Sequence, residues 1–138
     1  MKILILGSMS FTPEMILVGN ELKKLKHQVT LPYFIEDYQK CNSREEMHSN
    51  AVKNKLSHDL FKRYYGLIKE HDAILIINKK KKEIENYIGA NSLIEMVFAH
   101  LLNKKIFLLG KIPEIDYIGE IKATNPIILD GDLTKIPK

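Results

Sequence analysis

Apolar positions along this chain fall into five short runs, separated by stretches that repeat at helical spacing. Lys2 to Leu6 (K-I-L-I-L), His27 to Leu31, Asp72 to Ile77 (D-A-I-L-I-I), Lys105 to Leu109 (K-I-F-L-L) and Pro126 to Leu129 read as strands. After the first, Thr12 as cap and Pro13 at the first helical position open a helix to about Lys26, with Met15, Ile16, Val18, Leu22 and Leu25 inward. Leu60, Phe61, Tyr64, Leu67 and Ile68 give a helical period from Leu56 to Glu70. A further helix spans Asn91 to Leu102, and a short one lies around Ile115 to Ile121. Tyr33 to about Asn54 is polar and weakly periodic, so it reads as a long loop or a partly helical flap. Continuous apolar strands alternating with helices predict a parallel sheet covered on both faces. The expected architecture is α/β: a five-stranded, parallel, doubly wound sheet of the Rossmann-like or flavodoxin-like kind, in a single domain over residues 1–138.

One residue interrupts this pattern. Glu95 is the only charge in N-S-L-I-E-M-V-F-A-H-L-L, a helix otherwise apolar nearly all round. A carboxylate buried there is costly unless it is paired, hydrogen-bonded or used. With Gly89, Ala90, Asn91 and Ser92 just before it, Glu95 is expected in the first turn of a helix facing the carboxyl end of the sheet, where open α/β sheets bind ligands. Ser92 and Glu95 also have the S-x-x-E spacing of a capping box, and both readings stand at this point. The loops after strands one and three should converge at the switch in strand order. Gly7-Ser8-Met9-Ser10 then forms one wall, and Asn78 with Asn86 to Glu95 the other. No G-x-G-x-x-G follows the first strand and no G-x-x-x-x-G-K-[ST] occurs, so a dinucleotide site and a P-loop are not supported. Hydroxyls and backbone N–H groups in these loops can still hold a sugar or a phosphate.

Composition narrows the classes without choosing among them. At 138 residues and 45% hydrophobic, the chain suits one soluble domain with a real core. The net charge of +4 is largely local, in Lys79 to Lys82 and in Lys23, Lys24 and Lys26 on a polar helix side. No aromatics interleave the basic run and no DNA-binding spacing accompanies it. It therefore reads as a solvated loop or a contact to one small phosphate, not a polynucleotide surface. The apolar runs are too short to span a bilayer, Met1 to Gly7 is a strand and not a signal peptide, and no membrane partner is expected. The lone Cys41 cannot form an internal disulfide, which fits the cytoplasm. His48, His58 and His71 lack ligand spacing, and neither a metal nor a cofactor is expected. His100 is read as a packed or interface residue and Asp72 as a helix-end or strand-start residue. Asp130-Gly131-Asp132 reads as a turn, and Tyr87 is the tyrosine best placed to stack on a base.

The turn G-S-M-S-F, the strand D-A-I-L-I-I-N and the segment Y-I-G-A-N-S-L-I-E-M-V-F-A-H before N-K-K-I-F-L-L resemble the nucleoside 2-deoxyribosyltransferase superfamily, which includes the 2'-deoxynucleoside 5'-monophosphate N-glycosidases. The likeness covers about residues 1–130 and is weakest after Pro32. It implies Glu95 as the nucleophile that attacks the anomeric carbon while the base leaves, its charge favoured by the positive end of the helix. It also implies substrate contacts from Gly7, Ser8, Ser10, Phe11, Asn78, Tyr87, Gly89 and Asn91. A neighbouring subunit of a homodimer or larger homo-oligomer would bring Tyr117 and Glu120. The apolar excess of Met96, Val97, Phe98, Leu101 and Leu102 points to the same assembly. The chain departs from the family pattern where an aspartate is expected two turns ahead of Asp72, since Tyr64 stands there. Gly89 or Asn91 replaces the second acid near the glycine turn. The retained glutamate favours cleavage or transfer of the N-glycosidic bond of a nucleoside or nucleoside monophosphate. The missing acids favour a catalytically inactive nucleotide-binding or sensor protein of the same fold.

Overall fold

Ile3, Leu4, Ile5 and Leu6 are completely or almost completely buried, because the strand they form has a neighbour on each edge and a helical layer on each face. This computed structural model describes residues 1–33, 35 and 59–138. The stretch read as a loop or flap, Cys41, His48, His58 and the expected helix start at Leu56 lie outside them, apart from Tyr33 and Ile35. Five strands run in the order β2-β1-β3-β4-β5, all parallel: β1 (Lys2–Gly7), β2 (Gln28–Thr30), β3 (Ala73–Ile77), β4 (Lys105–Leu108) and β5 (Ile127–Ile128). Among the described residues, four α-helices connect them: α1 (Thr12–Lys24), α2 (Leu60–Lys69), α3 (Ala90–Leu101) and α4 (Ile118–Ala123). This is the expected α/β doubly wound sheet. Its strand order reverses between β1 and β3.

Alternation along each strand sends side chains to two separate cores. Ile3, Ile5, Leu75 and Ile77 pack with Met15 and Leu22 of α1 and with Leu129 and Ile136 of the C-terminal segment. Leu4, Leu6, Ile74 and Ile76 pack with Ile68 of α2, Met96 and Ala99 of α3 and Ile121 of α4. Burying one such Leu or Ile contributes about 1.5–3 kcal/mol, so the three central strands dominate the stability. β5 is shorter than expected. It has a single partner strand, and Ile127 and Ile128 are exposed.

The residues between α2 and β3 lock the sheet's entry. Asp72 accepts a hydrogen bond from the Lys2 backbone N–H at 2.7 Å, the structural role expected of it. His71 is buried, with Nδ1 2.6 Å from the Leu67 carbonyl and Nε2 2.7 Å from the Thr30 hydroxyl. A carbonyl only accepts, so Nδ1 donates and, in the neutral ring, Nε2 accepts.

Two local expectations are corrected. Thr12 is the first residue of α1 and not its cap; the cap position falls on Phe11, and the Thr12 hydroxyl donates to the Met9 carbonyl at 2.6 Å. The helix starts one residue early because a 3-10 turn, Met9–Phe11, leads straight into it. In α3 the cap is Gly89, in extended conformation, so Ser92 is the third helical residue and is buried. The capping box is therefore not formed, and Glu95 lies in the second turn. The helix dipole weakens beyond the first turn, so it favours the Glu95 charge less than expected.

Candidate active site

Gly7 ends β1 opposite Ile77, the last residue of β3, and its backbone shapes the crevice between the two outgoing loops. Its φ of +149° is one that side-chain-bearing residues rarely adopt, and a Cβ there would stand 2.7 Å from the Ile77 carbonyl oxygen. Only glycine lets the chain turn away this close to β3. The turn brings two hydroxyls together: Ser8 Oγ and Ser10 Oγ are 2.9 Å apart. From the opposite wall, Lys81 Nζ donates to Ser8 Oγ at 2.7 Å.

A tight turn aims Lys81. Its backbone pairs with Ile84 through N–H to carbonyl bonds of 3.1 and 2.9 Å, and both intervening residues are left-handed, Lys82 at φ 53° and Glu83 at φ 61°. Two such residues are the signature of the tightest hairpin turn, which ordinarily uses Asn and Gly. Lys and Glu there cost roughly 1 kcal/mol or more each. Lys81 is half-buried, whereas Lys79, Lys80 and Lys82 are exposed. Lys80 pairs with Glu85 at 3.5 Å. The basic run is thus neither uniform nor a plain solvated loop, since one of its four members reaches the crevice.

Tyr87 lies beside this network. The Lys81 and Lys82 ammonium groups stand 5.5 and 5.6 Å from its ring centre, and Gly89 lies against its ring. The Tyr117 hydroxyl donates to the Ile88 carbonyl at 2.5 Å, tying α4 to the segment that enters α3. Burial, aided by neighbouring Tyr87 and Asp116, holds the Tyr117 phenol above its ordinary value of 10.0, so it remains a donor. Within this chain Tyr117 is thus engaged beside Tyr87, while Glu120 is exposed.

Gly7, Ser8, Ser10, Tyr87 and Gly89 are therefore brought together, with Lys81 as their link. Phe11 turns into the core instead. Asn78 is buried, and its amide is committed to backbone: Oδ1 accepts from Gly110 N at 2.7 Å and Nδ2 donates to the Lys111 carbonyl at 2.8 Å. It holds the β3 and β4 loops in register. Asn91 is exposed on the first turn of α3, and His100 is exposed further along it. Glu95 is half-buried, one helical step from the sheet-facing Ser92, Met96 and Ala99. Next along its flank, Phe98 packs edge-on to Tyr65 of α2 with ring centres 5.4 Å apart. Tyr64 accepts a hydrogen bond from the Tyr33 N–H at 2.9 Å, and its ring packs edge-on to that of Tyr33.

Two further residues had no distinguishing mark in the sequence. Lys81 is one lysine of four, and only the turn geometry separates it from the others. Glu14, in the first turn of α1, has a carboxylate oxygen enclosed without a hydrogen-bond partner; it is the only such side-chain atom among the described residues. Among those residues no group of three His, Cys, Asp or Glu side chains could hold a metal, and no helix is long and apolar enough to cross a membrane. No protein-family model matches the chain, and no curated protein matches it either.

Proposed function

We propose that this protein cleaves or transfers the N-glycosidic bond of a nucleoside 5'-monophosphate, with Glu95 as nucleophile. The observation that carries the reading is the bridge of Lys81, Ser8 and Ser10 across the switch point, at the end of the sheet from which α3 carries Glu95. An ammonium and two hydroxyls within hydrogen-bonding distance of one another suit a phosphate, which accepts from all three. A phosphate held there leaves the sugar to be presented to a carboxylate. Glu95 attacks the anomeric carbon, the bond to the base breaks, and the base departs with the electron pair and takes up a proton. Water or a second base then releases the sugar.

The test is a panel of nucleosides and their 5'-monophosphates, followed by chromatography for free base. Monophosphates should react with the lower KM, and the advantage should shrink as salt rises. Lys81→Ala should remove most of that preference and Lys82→Ala little of it. Equal, salt-independent use of nucleoside and nucleotide would take the lysine out of the reading.

A second reading, nucleotide binding without turnover, draws support from Tyr64. This residue occupies the place of the family's aspartate and is engaged with Tyr33 instead of offering an acid. Binding of the monophosphates with no base released would favour it.

A homo-oligomer belongs to the same proposal. Phe61 and Tyr65 of α2 and Val97 and Leu101 of α3 are exposed, Leu101 to 69%, on two helices packed side by side. Exposed apolar side chains on two adjacent helices suit a subunit contact. Light scattering should return a mass of at least two chains, and a mass near the 16.0 kDa of one chain refutes it.

A further inference from the structure

We infer that Glu14 is a second ligand-reading carboxylate, facing the same crevice from α1 and accepting a hydrogen bond from an N–H or O–H donor of the bound nucleotide. The inference rests on the nucleotide reading above and adds the residue that reads the part of the ligand away from the phosphate.

α1 crosses the face of the sheet opposite α3, and its first turn follows directly on the Ser8–Phe11 loop. Gly19 of this helix touches Val29 and Leu31 near β2, while Met15 reaches Gly7 where β1 meets β3. Successive residues step about 100° around a helix. Going from Gly19 to Met15 to Glu14 therefore moves steadily away from β2, toward the loop that leaves β3 with Lys81 and Tyr87.

Oε2 of Glu14 is enclosed, yet nothing donates to it. A shielded carboxylate oxygen without a donor is costly, and a donor from outside the chain would satisfy it. A carboxylate repels phosphate and only accepts hydrogen bonds, so its partner is a sugar hydroxyl or a base N–H. Ser8, Ser10 and Lys81 then take the anionic end of the ligand and Glu14 takes a neutral donor. The two sources of donor are separated by experiment.

Dissociation constants would be measured by calorimetry for AMP, its 2'-deoxy and 3'-deoxy analogues, and purine riboside 5'-monophosphate, which lacks the amino group. Glu14→Ala should weaken AMP about tenfold or more, the loss typical of a hydrogen bond to a charged group. For the one analogue that lacks the matching donor, wild type and variant should bind equally. Loss of coupling with a deoxy analogue identifies a hydroxyl, and with the purine analogue the amino group. Glu14→Gln, close in shape and still an acceptor, should bind AMP between the two and stands in if the alanine variant does not fold. The same fold-loss for all four ligands, or none for any, overturns the assignment and leaves the nucleotide reading intact. Failure of wild type to bind any of the four overturns the assignment, and failure to bind every monophosphate of the panel above overturns the nucleotide reading with it.

Discussion

Glu95→Gln is expected to lower turnover by on the order of 10³ or more while changing stability by less than about 1 kcal/mol. Glutamine keeps the volume and one oxygen, and removes the charge that would attack carbon and stabilise the cationic sugar. The structure sharpens the contrast, because the capping alternative predicted a stability loss. Gly89, not Ser92, caps α3, and Glu95 falls in the second turn with no cap to complete. Base release and urea unfolding on the same preparation separate the outcomes. Full activity per folded molecule would remove Glu95 from the chemistry.

Gly7→Ala is expected to destabilise the fold by about 2–4 kcal/mol, the largest effect foreseen for adding a single methyl group. A non-glycine residue held at φ +149° costs about 1–3 kcal/mol, and forcing atoms into a packed site adds a comparable amount. The obstruction is the Ile77 backbone carbonyl at the end of the central strand β3, which cannot swing aside as a side chain would. The variant should also lose activity per folded molecule, since Ser8 follows directly and its contact with Lys81 depends on the turn. Denaturant midpoints would show it. A change within about 0.5 kcal/mol would mean the turn relaxes freely, and the account of the crevice would fail.

How much of this was legible beforehand depends on the kind of interaction involved. The strands were readable because a strand buried on both faces must be apolar along its buried length, as I-L-I-L, A-I-L-I-I and I-F-L-L are. The turn from Gly7 to Ser10 was readable from its small residues, which let the chain leave β1 close to the β3 backbone. The helix starts were less so. S-x-x-E offered a cap at Ser92, but the chain arrives at Gly89 already extended, with Tyr117 fixing the Ile88 carbonyl just before it. A contact from α4, about thirty residues away, outweighed a local motif of similar strength.

The site divides along the same line. Residue types and their spacing determined a parallel sheet, a switch point between β1 and β3, hydroxyls on one wall, lysines on the other and a carboxylate on the following helix. Those are consequences of burial and of short-range chain geometry. Tertiary structure alone decided that Lys81, out of four adjacent lysines, bridges to Ser8, because two left-handed residues turn its backbone back on Ile84. It alone decided that Asn78 is spent on the Gly110 and Lys111 backbone, and that Phe11 faces the core. It also left one oxygen of Glu14 shielded and unbonded. Each of these outcomes depends on groups brought together from distant parts of the chain, and a side chain's local sequence carries no record of which partner will lie within 3 Å of it once the sheet has closed.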